Sequence, residues 1–258
     1  MKSVVVGSGG REHALAHVLG RDSDVTVTPG NPGIPNSTTQ SPLNIDADLF
    51  VIGPEAPLVD GLADQLRAQG KTVFGPGVDG AQLEGSKAWM KDLLVEANVP
   101  TAKHGTFTNE DEAIAFLSDM PLPYVIKTDG LAAGKGVIVT ESVNEAKDAI
   151  KNYLSGDAFG DAGKTVVIEE GLIGNEISIL AICDGTKAVP LAPAQDYKRL
   201  LNDDEGPNTG GMGAYSPIPS VSEDFVTQIM EEAVQPTLQT LITRGIDYRG
   251  VLYAGIMN

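Results

Sequence analysis

The first 85 residues alternate between short β-prone runs and stretches with helical spacing, and this alternation restricts the fold more than any other feature of the chain. "SVVVG" reads as a strand, "REHALAHVLG" as a helix and "DVTVTPGN" as a strand and turn. "DLFVIGP" then reads as a strand, "PLVDGLADQLRAQG" as a helix and "KTVFGP" as a strand. Strands separated by helices are joined by right-handed crossovers, which gives a parallel sheet. "EGSKAWMKDLLVEANVP" starts a new helix with Lys87 in its first turn and stops near Pro100. From there strands and helices alternate again, but with a hairpin set among them. "NEISILAICDG" and "KAVPLAPAQDYKR" read as a further antiparallel pair about the turn Asp184-Gly185. A helix is expected from about Ser222 to Arg244, and "GVLYAGIMN" reads as an apolar terminal stretch.

A chain of 258 residues can bury a sizeable core in two domains. No apolar run approaches the ~18 residues a membrane-spanning helix needs. "MKSVVVGSGG" reads as a first strand, not as a secretion signal. Cys183 is the only cysteine, so no internal disulfide forms, and a cytoplasmic location is expected. Its apolar neighbours make it a buried strand residue. The net charge of −17 argues against nucleic-acid binding, which needs a basic face. An anionic ligand would therefore need a local cradle of glycines, Lys and Arg.

Two glycine-rich stretches offer such cradles. "GSGGREH" follows a strand and opens a helix, so free N–H groups and the helix dipole favour an anion there, with Arg11 adding charge. It is not a dinucleotide fingerprint, because Gly7 and Gly9 fit the G-x-G-x-x-G pattern but Glu12 stands at the last glycine. The acidic ribose ligand expected after the second strand is also missing, its place taken by Pro29, Gly30 and Asn31. A glycine turn with a capped helix remains an equal reading. The second stretch is "KTDGLAAGKGVIV", with three glycines and two alanines between Gly130 and Gly136. It is not a Walker A loop: Gly130 and Gly134 are one residue too close, no Ser or Thr follows Lys135, and a strand follows. A tight hairpin needs only one or two positive-φ glycines. So many small residues also suit a flap whose backbone approaches phosphates, and this stretch alone leaves both readings open.

The wider context favours the flap. Lys127 ends the strand before it, and Lys87 opens an earlier helix. Glu169 and Glu170 end an apolar strand, with Leu172 next and Glu176 seven residues after Glu169. Two such acids are usually a solvated turn; here they would sit at a hinge whose backbone can pair with adenine. "QDYKR" and "PNTGGMG" form a second polar, glycine-rich cluster suited to a small anionic substrate.

Together "GSGGREHAL", "PGNPG", "GPEAPLVDGL", "AQLEGSKAWMK", "IKTDGLAAGKGVIV", "IEEGLIGNEIS", "QDYKR", "GPNTGGMGAYSP" and "YRGVLYAG" resemble the phosphoribosylamine–glycine ligase family of the ATP-grasp superfamily, in the family's order. The resemblance implies an α/β ATP-grasp fold. Residues 1–85 would form an N-terminal parallel α/β domain, and residues 86–258 an incomplete ATP-grasp domain with a lid at about 107–170. It implies ligation of glycine to 5-phosphoribosylamine with ATP and Mg²⁺ (or Mn²⁺) in purine synthesis. Lys87 and Lys127 would hold phosphates, and Asp129, Gly130, Gly134, Lys135 and Gly136 would cover them. Glu169, Glu170 and Leu172 would frame adenine, and Glu176 the ribose. Gly9, Gly10, Arg11 and Asn31 would line the ribose-phosphate end. Asp196, Lys198, Gly210, Gly211 and Met212 would sit near glycine and the acyl phosphate, with Lys127, Asp196, Lys198, Gly210 and Gly211 the catalytic set.

The sequence departs from the family in two places. The stretch between Asn36 and Asp48 lacks a helix the family carries, which shortens one crossover. The family's Mg²⁺ ligands lie past "YAGIM", so no metal ligand is assigned within residues 1–258 and the metal set is expected beyond them. The rest of the enzyme is then expected in the same or a second chain, with little ligase activity from these residues alone. The alternatives are a nucleotide-binding fragment without catalysis, or another ATP-grasp carboxylate–amine ligase.

Overall fold

The computed structural model describes residues 1–130, 136–156 and 163–258. Among these residues the chain divides into two compact units. The first comprises Met1–Gly85 together with Cys183–Thr186 and Leu241–Val251. The second comprises Ser86–Ile182, Lys187–Thr240 and Leu252–Asn258.

The first unit is built on β1 (Lys2–Gly7), α1 (Gly10–Leu19), β2 (Asp24–Pro29), β3 (Leu49–Ile52), α2 (Glu55–Val59), α3 (Leu62–Ala68), β4 (Val73–Phe74) and α4 (Val78–Gly85). Its sheet has the order β2-β1-β3-β4, and every pairing is parallel, as the strand–helix alternation predicts. Both faces of this sheet are covered. Val4, Val6, Phe50 and Ile52 pack with Ala63 and Leu66 of α3 on one side. Val5, Val25, Val27 and Val51 pack against Leu15, Ala16 and Leu19 of α1 on the other. A sheet buried on both faces explains why its strands read as continuous Val-rich runs.

Two details differ from the sequence reading and one agrees with it. "PLVDGLADQLRAQG" is two helices, because Gly61 adopts φ +83 and breaks the helical path between α2 and α3. The helix α4 was not foreseen, since Gly80 and Gly85 lower its propensity. Packing overrides that, and Gly80 leaves room for the Tyr248 ring, which a Cβ would approach to 2.9 Å. Between Asn36 and Asp48 the one helical element is the 3₁₀ turn Pro42–Asn44, consistent with a shortened crossover.

The second unit opens with α5 (Lys87–Glu96) and continues through β5 (His104–Phe107), α6 (Glu110–Phe116), β6 (Tyr124–Thr128), β7 (Val137–Thr140), α7 (Val143–Leu154) and β8 (Val166–Glu170). The sheet order is β5-β8-β6-β7 and all its pairings are antiparallel. Ser86, Asn109 and Ser142 cap α5, α6 and α7 by accepting from the N–H groups of Trp89, Glu112 and Glu145. Ala146, Ala149, Ile150 and Tyr153 make the buried stripe of α7, at helical spacing. They pack on Tyr124, Ile126, Val166 and Ile168. Strand alternation therefore turns Val125, Lys127, Val167 and Glu169 to the opposite face of the same sheet.

The remaining elements are β9 (Glu176–Asp184), β10 (Ala188–Pro190), β11 (Gln195–Leu201), β12 (Glu205–Tyr215), α8 (Glu223–Ile229), α9 (Gln235–Thr243) and β13 (Arg249–Met257). β9 is central in a sheet of order β10-β9-β13, and β11 pairs with β12. The foreseen helix from about Ser222 is realised as α8 and α9 joined by a π turn at Met230–Val234. Pro236 cannot donate to the carbonyl four residues earlier, and a widened turn relieves its ring from that carbonyl. The glycine-rich Gly210–Gly213 belongs to β12. Pairing with β11 extends it, and the register shifts between Tyr197, Arg199 and Leu201 absorb the glycine backbone.

Candidate nucleotide site

The antiparallel register Lys127↔Val137, with Thr128 N–H donating to the Gly136 carbonyl at 2.8 Å, makes β6 and β7 a hairpin whose connecting loop is residues 129–136. Leu131, Gly134 and Lys135 of that loop lie outside the described residues. The start of the loop is fastened to α5. The Asp129 carboxylate accepts from the Ser86 hydroxyl at 3.0 Å and from the Ala88 N–H at 3.2 Å. It thus adds an anion to the N-terminus of α5, where free N–H groups and the dipole favour one. One residue on, the Gly130 carbonyl accepts from Lys87 Nζ at 2.7 Å. The phosphate candidates Lys87 and Lys127 are thereby brought to the two sides of one loop base.

Beneath Lys127 is an acid that the sequence placed at a hinge. Glu169 is 5% exposed, Lys127 Nζ is 2.9 Å from its Oε1, and Lys91 Nζ is 3.0 Å from its Oε2. The Lys127 contact follows from strand pairing: Lys127 faces Val167 in β8, so Glu169 is its diagonal neighbour on the same face. Lys91, 4% exposed, also donates to Thr101 Oγ1 at 2.8 Å. Burial alone would raise the Glu169 carboxyl, but Lys127 and Lys91 outweigh it and the group lies below its ordinary range. Burial lowers the Lys91 ammonium, and Glu169 restores only part of the loss. Lys91 was missed by the sequence reading. The available signal was its place four residues after Lys87, hence on the same face of α5.

The Glu169 side chain is thus engaged with lysines, and its backbone is paired within β8 opposite His104 of β5 and Val125 of β6. Glu170 N–H donates to the Lys103 carbonyl at 3.0 Å, and its Oε1 accepts from Lys103 N–H at 2.8 Å. Leu172 follows with a half-exposed side chain.

A second cluster forms where β9 meets β11. Lys198 Nζ lies 2.6 Å from Glu176 Oε1 and 3.7 Å from Asp196 Oδ2. Burial would lower Lys198, yet the two carboxylates raise it above its ordinary value. The Lys198 carbonyl accepts from Thr209 Oγ1, whose oxygen in turn accepts from Gly211 N–H at 3.0 Å. Gly210, Gly211 and an exposed Met212 therefore adjoin this ion cluster through β12.

In the first unit, Gly9, Gly10, Arg11 and Asn31 come together at the ends of β1 and β2. Asn31 Nδ2 donates to the Ser8 carbonyl and its Oδ1 accepts from Gly33 N–H, both at 2.7 Å. Glu12, the residue that breaks the dinucleotide fingerprint, is 3% exposed. It accepts from Gly9 N–H at 2.7 Å and from Arg11 Nε at 2.8 Å. Burial would raise its pKa, but Arg11 and the Gly9 N–H outweigh it and hold the carboxyl below its ordinary range. Gly53 closes over the same carboxylate, so that a Cβ there would meet Glu12 Oε1 at 2.1 Å. Gly53→Ala is accordingly expected to destabilise by ~1–3 kcal/mol through overpacking, whereas Gly10→Ala, which meets nothing within 4 Å, should change little. Urea titration of both variants checks this.

A parallel α/β unit together with an antiparallel sheet whose glycine-rich hairpin is anchored by lysines defines an ATP-grasp protein. The chain belongs to the phosphoribosylglycinamide synthetase family: residues 1–84 match its N domain and residues 85–258 its ATP-grasp (A) domain. A phosphoribosylamine–glycine ligase of Xanthomonas campestris is 48% identical over 275 residues, covering 100% of this chain and 64% of the relative. The crystal structure of a phosphoribosylamine–glycine ligase from Thermotoga maritima superposes with TM-score 0.87 at 34% identity, covering 100% of this chain and 65% of that one. D-alanyl-alanine synthetase A of Vibrio cholerae, at 13% identity and TM-score 0.69 over 100% of this chain and 85% of that one, shares the fold alone. The chain thus spans slightly less than two thirds of the length of the Xanthomonas relative.

Proposed function

We propose that this chain carries the nucleotide-binding part of an ATP-dependent ligase joining glycine to 5-phosphoribosylamine, acting in the cytoplasm. The observation that carries the reading is the convergence of Lys87 and Lys127 on one glycine-rich hairpin, in a chain matched to this family throughout its length. Residues 1–85 serve as the N-terminal domain, and residues 86–258 as the ATP-grasp domain with a lid near 107–170.

A carboxylate is a poor electrophile. The reaction therefore first joins a glycine oxygen to the γ-phosphorus of ATP, breaking the β–γ P–O bond and releasing ADP. The phosphoribosylamine nitrogen then attacks the acyl carbon, the C–O bond to phosphate breaks, and the nitrogen loses a proton. Such chemistry rests on positioning and charge neutralisation. Lys87 and Lys127 supply cations to the phosphates, and Asp129, Gly130 and Gly136 hold the hairpin over them with Gly134 and Lys135. The backbone from Glu169 through Glu170 to Leu172 frames adenine, and Glu176 accepts from the ribose. Asp196, Lys198, Gly210, Gly211 and Met212 serve glycine and the acyl phosphate, while Gly9, Gly10, Arg11 and Asn31 serve the ribose phosphate. When bound, Mg²⁺ neutralises phosphate charge. The family resemblance places its ligands past Met257, so no residue here is assigned to it.

Lys127→Ala should weaken binding of an ATP analogue by ~1.5–3 kcal/mol, as loss of a partly desolvated phosphate partner implies. Lys103→Ala should change it little, because Lys103 Nζ is spent on the Asp119 carbonyl in an exposed segment. Equal effects of the two variants in calorimetry would reject the phosphate role.

A further inference from the structure

We infer that Lys91 is a positioning residue that sets the charge Lys127 presents to a nucleotide polyphosphate. This deepens the nucleotide reading above and rests on it. Lys127 does not stand free over the sheet, because its ammonium is 2.9 Å from Glu169 Oε1. A one-to-one pair of that kind is neutral at a distance and would offer a phosphate little. The second oxygen of Glu169 is taken by Lys91, whose side chain is 5% exposed and so has no solvent to screen its charge. Two ammonium groups on one carboxylate leave the cluster at net +1, and only Lys127, with 25% of its side chain exposed, opens outward.

The surrounding groups keep that count. His104 faces Glu169 from β5 but turns Nδ1 to the Ala102 carbonyl at 3.1 Å. Thr101 Oγ1 accepts from Lys91 and carries no charge. Glu170 accepts from the Lys103 N–H, and its carboxylate acts on Lys91 less than Glu169 does, so it weakens the surplus charge without cancelling it. Lys91 itself is covered and cannot touch a ligand, so its influence runs through Glu169. The three groups sit on three separate elements, α5, β6 and β8, so the arrangement also fixes where the Lys127 ammonium lies along the hairpin.

The test compares wild type, Lys91→Met and Lys91→Met/Glu169→Gln in the full 258-residue chain. Dissociation constants for the imido analogue of ATP and for adenosine are measured by titration calorimetry. Lys91→Met leaves Glu169 to neutralise Lys127. It should lower the preference for the triphosphate over adenosine about tenfold, with adenosine affinity unchanged. The double variant restores a net +1 on Lys127 alone and should recover most of the preference, an outcome that a merely structural role of Lys91 does not give. It buries no unpaired charge, so it also decides the matter if Lys91→Met does not fold: a wild-type preference supports the inference and a collapsed one overturns it. Wild-type binding with an unchanged preference in Lys91→Met overturns the inference alone. Wild-type chain that binds neither ligand removes the nucleotide reading, and the inference with it.

Discussion

Glu169→Ala is expected to lower the stability of the second unit by ~3–5 kcal/mol, the largest effect of any single substitution around the site. The variant leaves Lys91, 4% exposed, against the neutral Thr101 hydroxyl, and sets it beside Lys127 with no carboxylate between two like charges. A charge stripped of its partner in such a place costs far more than the pair contributes, since its desolvation is no longer offset. Lys91→Met should cost less, because Glu169 keeps Lys127. Trp89, the chain's one tryptophan, lies in α5 two residues before Lys91 and provides a fluorescence signal for urea unfolding of this unit. The pH dependence has a defined sign. Glu169 titrates below its ordinary range in the folded chain, so the unfolded chain binds more protons across the acid window. Its contribution is complete above the ordinary glutamate range and fades as pH falls through the lowered folded value. Glu169→Gln should therefore flatten the acid limb of the stability curve, and an unaltered limb would show that the carboxylate is not held by the lysines.

The parts of the molecule that were legible from residue types are those fixed by local rules. Continuous β-prone runs alternating with helical spacing gave the parallel order of the first unit, because a strand covered on both faces must be apolar throughout, as Val4, Val5 and Val6 are. The glycines and Lys127 gave the hairpin, and the structure shows that its register places Lys127 opposite Val137. What sequence could not give were consequences of long-range packing. Lys91 reads as one more charge on an amphipathic helix, and only the arrival of β8 turns it into a buried partner of Glu169. Asp129 reads as part of a loop, while the fold makes it the anion that completes the capping of α5. The helices α2 and α3 read as one element until the positive φ of Gly61 separates them. Glu12 was read as a fault in a glycine fingerprint, whereas packing makes it the reason two glycines are present at Gly7 and Gly53.

That last relation sets the second large effect. Glu12→Ala should destabilise the first unit by ~2–4 kcal/mol, since it removes a buried side chain and leaves a void. It also strands the Gly9 N–H and the Arg11 Nε that now donate to its carboxylate. Arg11 would keep only the longer contact to Glu55, at 3.5 Å on the surface. Gly53→Ala acts on the same space from the other side, so the two substitutions should not add. In the wild-type chain an alanine methyl at position 53 has to displace the Glu12 carboxylate. In Glu12→Ala it enters the void, and Gly53→Ala should then be close to neutral or partly restoring. A double-mutant cycle by urea unfolding measures the coupling, and an additive result would mean that the clash with Glu12 is not what makes Gly53 intolerant. Gly7→Ala is the contrasting case. Its φ of +132 is a conformation that side chains rarely adopt, so emptying the space above it should leave most of its penalty in place. The difference between the two glycines separates lack of room from backbone strain at one carboxylate.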